Sequence, residues 1–384
     1  PFEAPLRAGE FTFVKEIAQE SGIMSGVFEY RWAGAVQDGG HVAVKKLRRE
    51  ACVPRANAER NERRVHFRLG KGRAPCQEDA LTEIGVLGYL SRQTDVPQYL
   101  LRMLGVFADA SHAWLVTDFC EGGELFEEVS RRGRLDEAHA RRHTWEISQA
   151  VRYLHRHSIA HRDLSLENIL LKGGSVRVMD FGMSVRSHLP CGTELRYFGA
   201  VGKDFYRAPE CYVPEAEFID VVAPLGAAPG AVTFIKDRGH LPYEPARLGE
   251  VRLPADARPG QRCRAQVWGY AAQPADAFAV GACMFIMLNG SPPWGRAHFS
   301  DAVYSYVDKH GLPALLRDWG MQAMTPAIEE VVLGLTCADP SRRLSMQACL
   351  DCPWFADFSR TEVPRHSAPA LASNPLMRRA VAGA

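Results

Sequence analysis

The stretch His161-Arg162-Asp163-Leu164-Ser165-Leu166-Glu167-Asn168 concentrates side chains able to handle protons, cations and phosphate. It runs into an apolar segment, Ile169-Leu170-Leu171, a Lys-Gly-Gly-Ser turn, a second segment, Val176-Arg177-Val178-Met179, and then Asp180-Phe181-Gly182. The apolar segments read as strands, and Gly173 and Gly174 permit a tight hairpin between them. Positions 168 and 180 are equidistant from residue 174, so a simple hairpin sets Asn168 and Asp180 side by side at its open end. An amide oxygen and a carboxylate meeting there form a hard, oxygen-only site suited to Mg²⁺ carrying phosphate ligands. Asp163 precedes Asn168 on the same loop, close enough to accept a proton from an incoming hydroxyl.

The elements that must hold these residues can be read from patterning. Residues 11 to 47 read as strands, with Val42-Ala43-Val44 flowing into Lys45. Leu81, Ile84, Leu87 and Leu90 lie along one broad face of a helix over residues 78 to 90, and Trp114-Leu115-Val116 reads as a buried strand. Asp136 opens a long helix with Ile147, Val151 and Leu154 on one face, and the chain from there to about residue 360 looks mainly helical. The fold class is therefore α+β in two lobes, a small strand-rich one over 11–120 and a larger, mainly helical one over 121–358. Two insertions interrupt them: a basic one at about 48–78 and a Pro/Gly-rich one at about 214–274, with strand expected in 232–235 and 266–268. Residues 359–384 carry Ser, Pro, Ala and Arg without periodicity and read as a disordered tail.

Composition narrows the function classes. The chain has 384 residues, which at roughly 150 per domain suggests two or three domain-sized units. Lys and Arg number 46 against 45 Asp and Glu, so the molecule has no global field to draw it onto nucleic acid or anionic lipid. The longest apolar run, Phe278 to Leu288, is shorter than the roughly 20 residues that span a bilayer, and no charged-then-apolar leader opens the chain. Cys349 and Cys352 form a lone CxxC with no second pair to complete a zinc site, and the sparse cysteines point to a reduced intracellular, cytoplasmic setting. The basic insertion, with nine Lys or Arg between positions 48 and 73, is a solvated segment or a dock for an acidic partner.

The ordered set of motifs resembles the eukaryotic protein kinases over about residues 11 to 358, in the style of the calmodulin-dependent-type Ser/Thr enzymes. The resemblance implies ATP and Mg²⁺ bound between the lobes and transfer of the γ-phosphoryl to Ser or Thr of a protein substrate. It makes Asp163 the catalytic-loop aspartate, Asn168 and Asp180 the metal ligands, Lys45 the lysine that holds the α and β phosphates, and Glu83 its partner on a helix. Gly22, Val27, Ala43 and Leu170 fall at nucleotide-binding positions. Thr117 falls at the gatekeeper, with Asp118 and Cys120 at the main-chain contacts to adenine. Glu124 and Glu167 match acidic positions that contact ribose or, in basophilic members, the arginines preceding the phosphorylated residue. Glu210 and Arg343 match a structural ion pair, and Asp276 a buried brace of the catalytic loop.

The chain also departs from that family. In the phosphate-covering loop Glu20, Gly22 and Ser25 stand where three glycines are usual. Ser165 replaces the catalytic-loop lysine, and Lys203 replaces a threonine of the activation segment. These two positions meet in the family, so Lys203 is expected to supply the missing cation. A pseudokinase acting as an interaction module is the alternative function, and a small-molecule kinase is disfavoured by the full activation segment through Glu210. Arg162 is expected to receive an activation-segment phosphate, with Thr193 the favoured acceptor.

Overall fold

The computed structural model describes residues 4–5, 9–19, 24–35, 38–52, 79–237, 247–321, 324–358 and 361–366. Glu20, Gly22, residues 53–78 of the basic insertion and residues 367–384 of the expected tail lie outside the described residues.

The first lobe is a six-stranded sheet made of β1 (Ala4–Pro5), β2 (Phe11–Ala18), β3 (Met24–Trp32), β4 (His41–Arg48), β5 (Met103–Ala108) and β6 (His112–Asp118), in the order β1-β5-β6-β4-β3-β2. Period-two alternation sorts the faces of β4. Val42 and Val44 are fully buried against Tyr30, Trp32 and Trp114, while Ala43 and Lys45 turn to the opposite face. The register pairs Lys45 with Val27 and Ala43 with Thr117, so all four side chains share that second face. Helix α1 (Ala80–Leu90) follows, begun by Asp79, whose carboxylate accepts from the Leu81 N–H and satisfies one of the orphan donors of the first turn.

The second lobe opens with α2 (Leu125–Arg132) and α3 (Glu137–Arg156), the latter capped by Asp136. Short strands β7 (Ile159–Ala160), β8 (Ile169–Lys172), β9 (Ser175–Val178), β10 (Val185–Arg186) and β11 (Arg196–Tyr197) lie across α3 and its neighbours. The principal core is built on α3, α4 (Ala272–Asn289), α6 (Leu312–Asp318), α7 (Pro326–Leu335) and α8 (Met346–Leu350), with α5 (Ala302–His310) packed against it. The apolar run from Phe278 is the middle of α4, buried on every side as a central helix must be. Cys349 and Cys352 are free thiols buried at the end of α8.

The region 214–274 is more ordered than its Pro and Gly content suggests. It folds into an antiparallel sheet of β12 (Phe218–Val222), β13 (Val232–Asp237), β14 (Arg247–Arg252) and β15 (Arg262–Val267), in the order β12-β15-β14-β13. Ile219, Val221, Ile235, Val251, Ala265 and Val267 form a separate small core. The expected strands at 232–235 and 266–267 are present, and Trp268 lies just beyond β15. The sequence reading missed β12 and β14 because each is a short alternation bracketed by breakers: in β12 only Ile219 and Val221 face inward. Leu248 of β14 anchors this sheet to Tyr270 and Phe278 in the second lobe. At the other end, residues 361–366 correct the boundary set for the tail. The N–H of Gln98 donates to the Pro364 carbonyl at 2.8 Å, and the N–H of His366 donates to the Val96 carbonyl at 3.0 Å.

Candidate active site

The hairpin β8–β9 pairs Ile169 with Val178 and Lys172 with Ser175, leaving Gly173 and Gly174 as its two-residue turn. This register sets Asn168 opposite Met179, whose N–H donates to the Asn168 carbonyl at 3.0 Å. Asp180 therefore falls one position beyond the point of simple symmetry, and it adopts a left-handed φ of 63°. That turn, costly for a residue with a side chain, redirects the carboxylate, and Oδ1 accepts from the Gly182 N–H at 3.3 Å. Asn168 Nδ2 bridges back to Asp163, donating to its carbonyl at 2.7 Å and to Oδ2 at 3.0 Å.

The Asp163 carboxyl is held above its usual range by burial, and the nearby Asp180 charge adds to the shift; Lys203, His161 and the Asn168 amide oppose it. The loop carrying it is pinned from below. Asp276, buried in α4, accepts the backbone N–H groups of His161 at 2.8 Å and Arg162 at 2.7 Å. Glu210 and Arg343, both with fully buried side chains, form a two-pronged ion pair at 2.5 and 2.8 Å that ties the end of the activation segment to the helices beyond.

Across the cleft, Lys45 Nζ lies 2.8 Å from Glu83 Oε2, which joins β4 to α1. The N–H of Asp79, which caps α1, donates to the carbonyl of Gly182 at 3.1 Å. Contacts therefore run from Lys45 through Glu83 and α1 to Gly182 and Asp180, and from the adjoining Met179 to Asn168 and on to Asp163. Val27, Ala43 and Leu170 are half-buried beside them, Thr117 and Cys120 are buried, and burial pushes the Cys120 thiol up to about 12. The Asp118 carboxylate accepts from Arg102 at 2.9 Å and has Lys172 at 3.7 Å, and its N–H donates to the Arg102 carbonyl at 3.0 Å. Ser25 is held by His112 at 3.1 Å, and Gly26 is required by its φ of 127° and by the Phe28 ring, which a Cβ would meet at 2.7 Å.

Lys203 Nζ donates to Ser165 Oγ at 2.7 Å and lies 3.5 Å from Glu167 Oε2. The activation segment thus delivers an ammonium to the catalytic loop at the buried serine. Glu124, at the start of α2, has its carboxyl raised by burial and by the charges of Glu127 and Glu167, which marks an acidic patch beside Lys203. Tyr206, which the sequence reading passed over, donates to Glu167 at 3.3 Å and receives the Leu166 N–H at 3.4 Å. No local pattern marks it, because its partners are some forty positions away.

Among the described residues no cluster of three or more His, Cys, Asp or Glu forms a self-sufficient metal cage, and no helix is long and apolar enough to cross a membrane. The donor set of Asn168 and Asp180 nonetheless fits Mg²⁺, which takes few protein ligands when phosphate oxygens complete its shell.

The chain is similar to known proteins. The family description "Protein kinase domain" matches residues 34–218, ending where β12 begins. CBL-interacting serine/threonine-protein kinase 7 of Arabidopsis thaliana is 34% identical over 259 residues, covering 67% of this chain and 46% of the relative. CBL-interacting serine/threonine-protein kinase 26 of the same plant is 28% identical over 267 residues, covering 67% of this chain and 53% of the relative. Serine/threonine-protein kinase PKZ1 of Phytophthora infestans is 26% identical over 361 residues, covering 93% of this chain and 75% of the relative. The chain thus spans about half the length of the two plant relatives.

Proposed function

Because the chain belongs to the eukaryotic protein kinase family, with relatives of the serine/threonine type, we propose that it transfers the γ-phosphoryl group of ATP to serine or threonine hydroxyls of proteins, favouring sites preceded by arginine. The chain of contacts from Lys45 and Glu83 to Asp163, Asn168 and Asp180 is the observation that carries this function. Asp163 orients the substrate hydroxyl and accepts its proton, a task suited to a carboxylate whose basicity burial has raised. Lys45, fixed by Glu83, positions the nucleotide phosphates, and Val27, Ala43, Leu170, Thr117 and the main chain of Asp118 and Cys120 enclose the nucleotide. Asn168 and Asp180 would hold Mg²⁺, which when bound would neutralise phosphate charge. Lys203, oriented by Ser165, faces the transferring group and supplies the cation absent from position 165. Glu124 and Glu167 attract the arginines of the substrate. The described cysteines are free thiols, in keeping with an intracellular place of action.

The test is transfer of labelled γ-phosphoryl to paired peptides with and without arginines ahead of the acceptor, with Asp163→Asn as control. Loss of a general base predicts a fall in kcat of about 10²- to 10⁴-fold in the variant, with the arginine-bearing peptide preferred by wild type. Equal silence of wild type and variant, together with no Mg·ATP binding by titration, would replace this function with that of a pseudokinase interaction module.

A further inference from the structure

The Pro/Gly-rich insertion returns to the core through Gly269, Tyr270 and Gln273, and there it meets the activation segment. Strand β16 (Tyr270–Ala271) pairs with β11, setting Tyr197 opposite Tyr270 and Arg196 opposite Ala271. The Tyr270 side chain is fully buried, and its hydroxyl sits at a junction. It receives Arg162 Nε at 3.1 Å and an Arg162 terminal nitrogen at 2.8 Å, and it donates to the Gly199 carbonyl at 3.0 Å. The same Arg162 nitrogen donates to Gly199 at 3.2 Å, and the guanidinium lies 4.9 Å from the Tyr197 ring centre. The insertion contributes a second tie: Glu250 of β14 accepts from Arg196 at 2.6 Å. A third comes from Gln273, whose amide donates to Ser187 at 2.8 Å. Gly269 completes the fit, since a Cβ there would stand 2.6 Å from the Tyr197 carbonyl.

Arg162 immediately precedes Asp163, and Gly199 lies four positions before Lys203. A group that binds both ends of this span controls how the activation segment lies against the catalytic loop. A phosphate on the segment is one way to engage such an arginine, but here a neutral phenol, built into the fold and always present, already does so.

We propose that Tyr270, supported by Glu250, is a positioning residue for phosphoryl transfer, holding the activation segment on Arg162 in the substrate-accepting form without a phosphate. This rests on the kinase function proposed above. Tyr270 touches neither nucleotide nor acceptor; it acts through Arg162 and through the course of the segment toward Lys203. The insertion thereby becomes the internal brace of the site, and phosphorylation at Thr193, exposed on its own turn, is not required for ordering.

The experiment uses the full chain freed of phosphate by phosphatase treatment and verified by intact mass, as wild type and Tyr270→Phe. Three quantities are read: kcat/KM for the peptide, the Kd for Mg·ATP, and the rate of tryptic cleavage after Arg196 and Lys203. Phosphate-free wild type should keep its activity within about threefold, whereas Tyr270→Phe should lose about tenfold or more in kcat/KM with its ATP affinity within about twofold. Cleavage of the segment should accelerate in the variant by about tenfold, as a loosened segment opens more often. A merely structural tyrosine would lower thermal stability without separating peptide turnover from ATP affinity. The proposal is overturned if phosphate-free wild type loses its activity while the untreated protein has it, or if Tyr270→Phe matches wild type in both turnover and cleavage. If wild type transfers nothing in either state the kinase function fails, and the cleavage rates still decide whether Tyr270 holds the segment. Should Tyr270→Phe not fold, Glu250→Gln serves with the same readouts, and unchanged cleavage in it counts against the proposal.

Discussion

Asp163 works in a field that its neighbours set. Burial raises its pKa and the adjacent Asp180 adds to the rise, while Lys203 is the strongest influence pulling it back. A base must be ionised to accept a proton, so kcat falls as pH drops through this pKa, and the acid limb lies above the ordinary aspartate value of 3.8. Removing Lys203 removes a lowering influence, so the limb moves to higher pH. Lys203→Met is expected to cut kcat by about 10²-fold, the scale of one lost charge-stabilising donor, with ATP affinity retained and the acid limb displaced upward. A pH–rate profile of the two proteins checks both effects. Near-normal turnover in the variant would make Lys203 a surface cation that merely rests on Ser165.

At the scale of elements, α1 couples Lys45 on one side of the cleft to Gly182 on the other. Its C-terminal end packs into the core through Leu87 and Leu90, and Glu83 emerges one turn from the cap. The Asp79 carboxylate accepts from both the Leu81 N–H and the Thr82 hydroxyl, and its own N–H reaches Gly182. Asp79→Ala keeps the backbone bond to Gly182 and deletes the cap, for an expected loss of about 1 kcal/mol in denaturant unfolding. The cost falls on the first turn, so the ion pair of Lys45 and Glu83 loosens as well. A weaker affinity for Mg·ATP, measured by titration, should accompany the stability loss.

At the scale of the whole molecule, the pair Glu210–Arg343 links segments 133 positions apart and is sealed from water. Breaking such a pair strands one charge in the interior, which costs far more than the pair itself contributes. Arg343→Met is therefore expected to lose about 3 to 5 kcal/mol, read from the urea midpoint. Arg343 also donates to the carbonyls of Pro274, Cys337 and Ala338, so the loss extends to the ends of α4 and α7. The segment 361–366 adds a second long-range closure: His366 Nε2 is 2.8 Å from the Leu100 carbonyl, beside the strands that lead to the cleft.

What the sequence by itself determined was local or ordered along the chain. The two apolar runs around Gly173-Gly174 define a hairpin by alternation and turn chemistry, and Asp79 and Asp136 mark helix starts by capping. The order of Lys45, Glu83, Asp163, Asn168 and Asp180 identified the family before any fold was known. Tertiary structure decided the rest. The one-residue offset of Asp180 depends on whether the hairpin turns about residue 174 or midway between Gly173 and Gly174, and periodicity does not resolve that choice. The strands at 218–222 and 247–252 are too short and too interrupted to declare themselves, and become stable only when a sheet and its small core form around them. Tyr206, Tyr270 and Glu250 carry no motif, because a hydroxyl or carboxylate acquires its role from partners brought close by folding, here Glu167, Arg162 and Arg196. A spacing along the chain encodes what neighbouring residues do to each other, whereas burial and long-range hydrogen bonding exist only once distant segments pack.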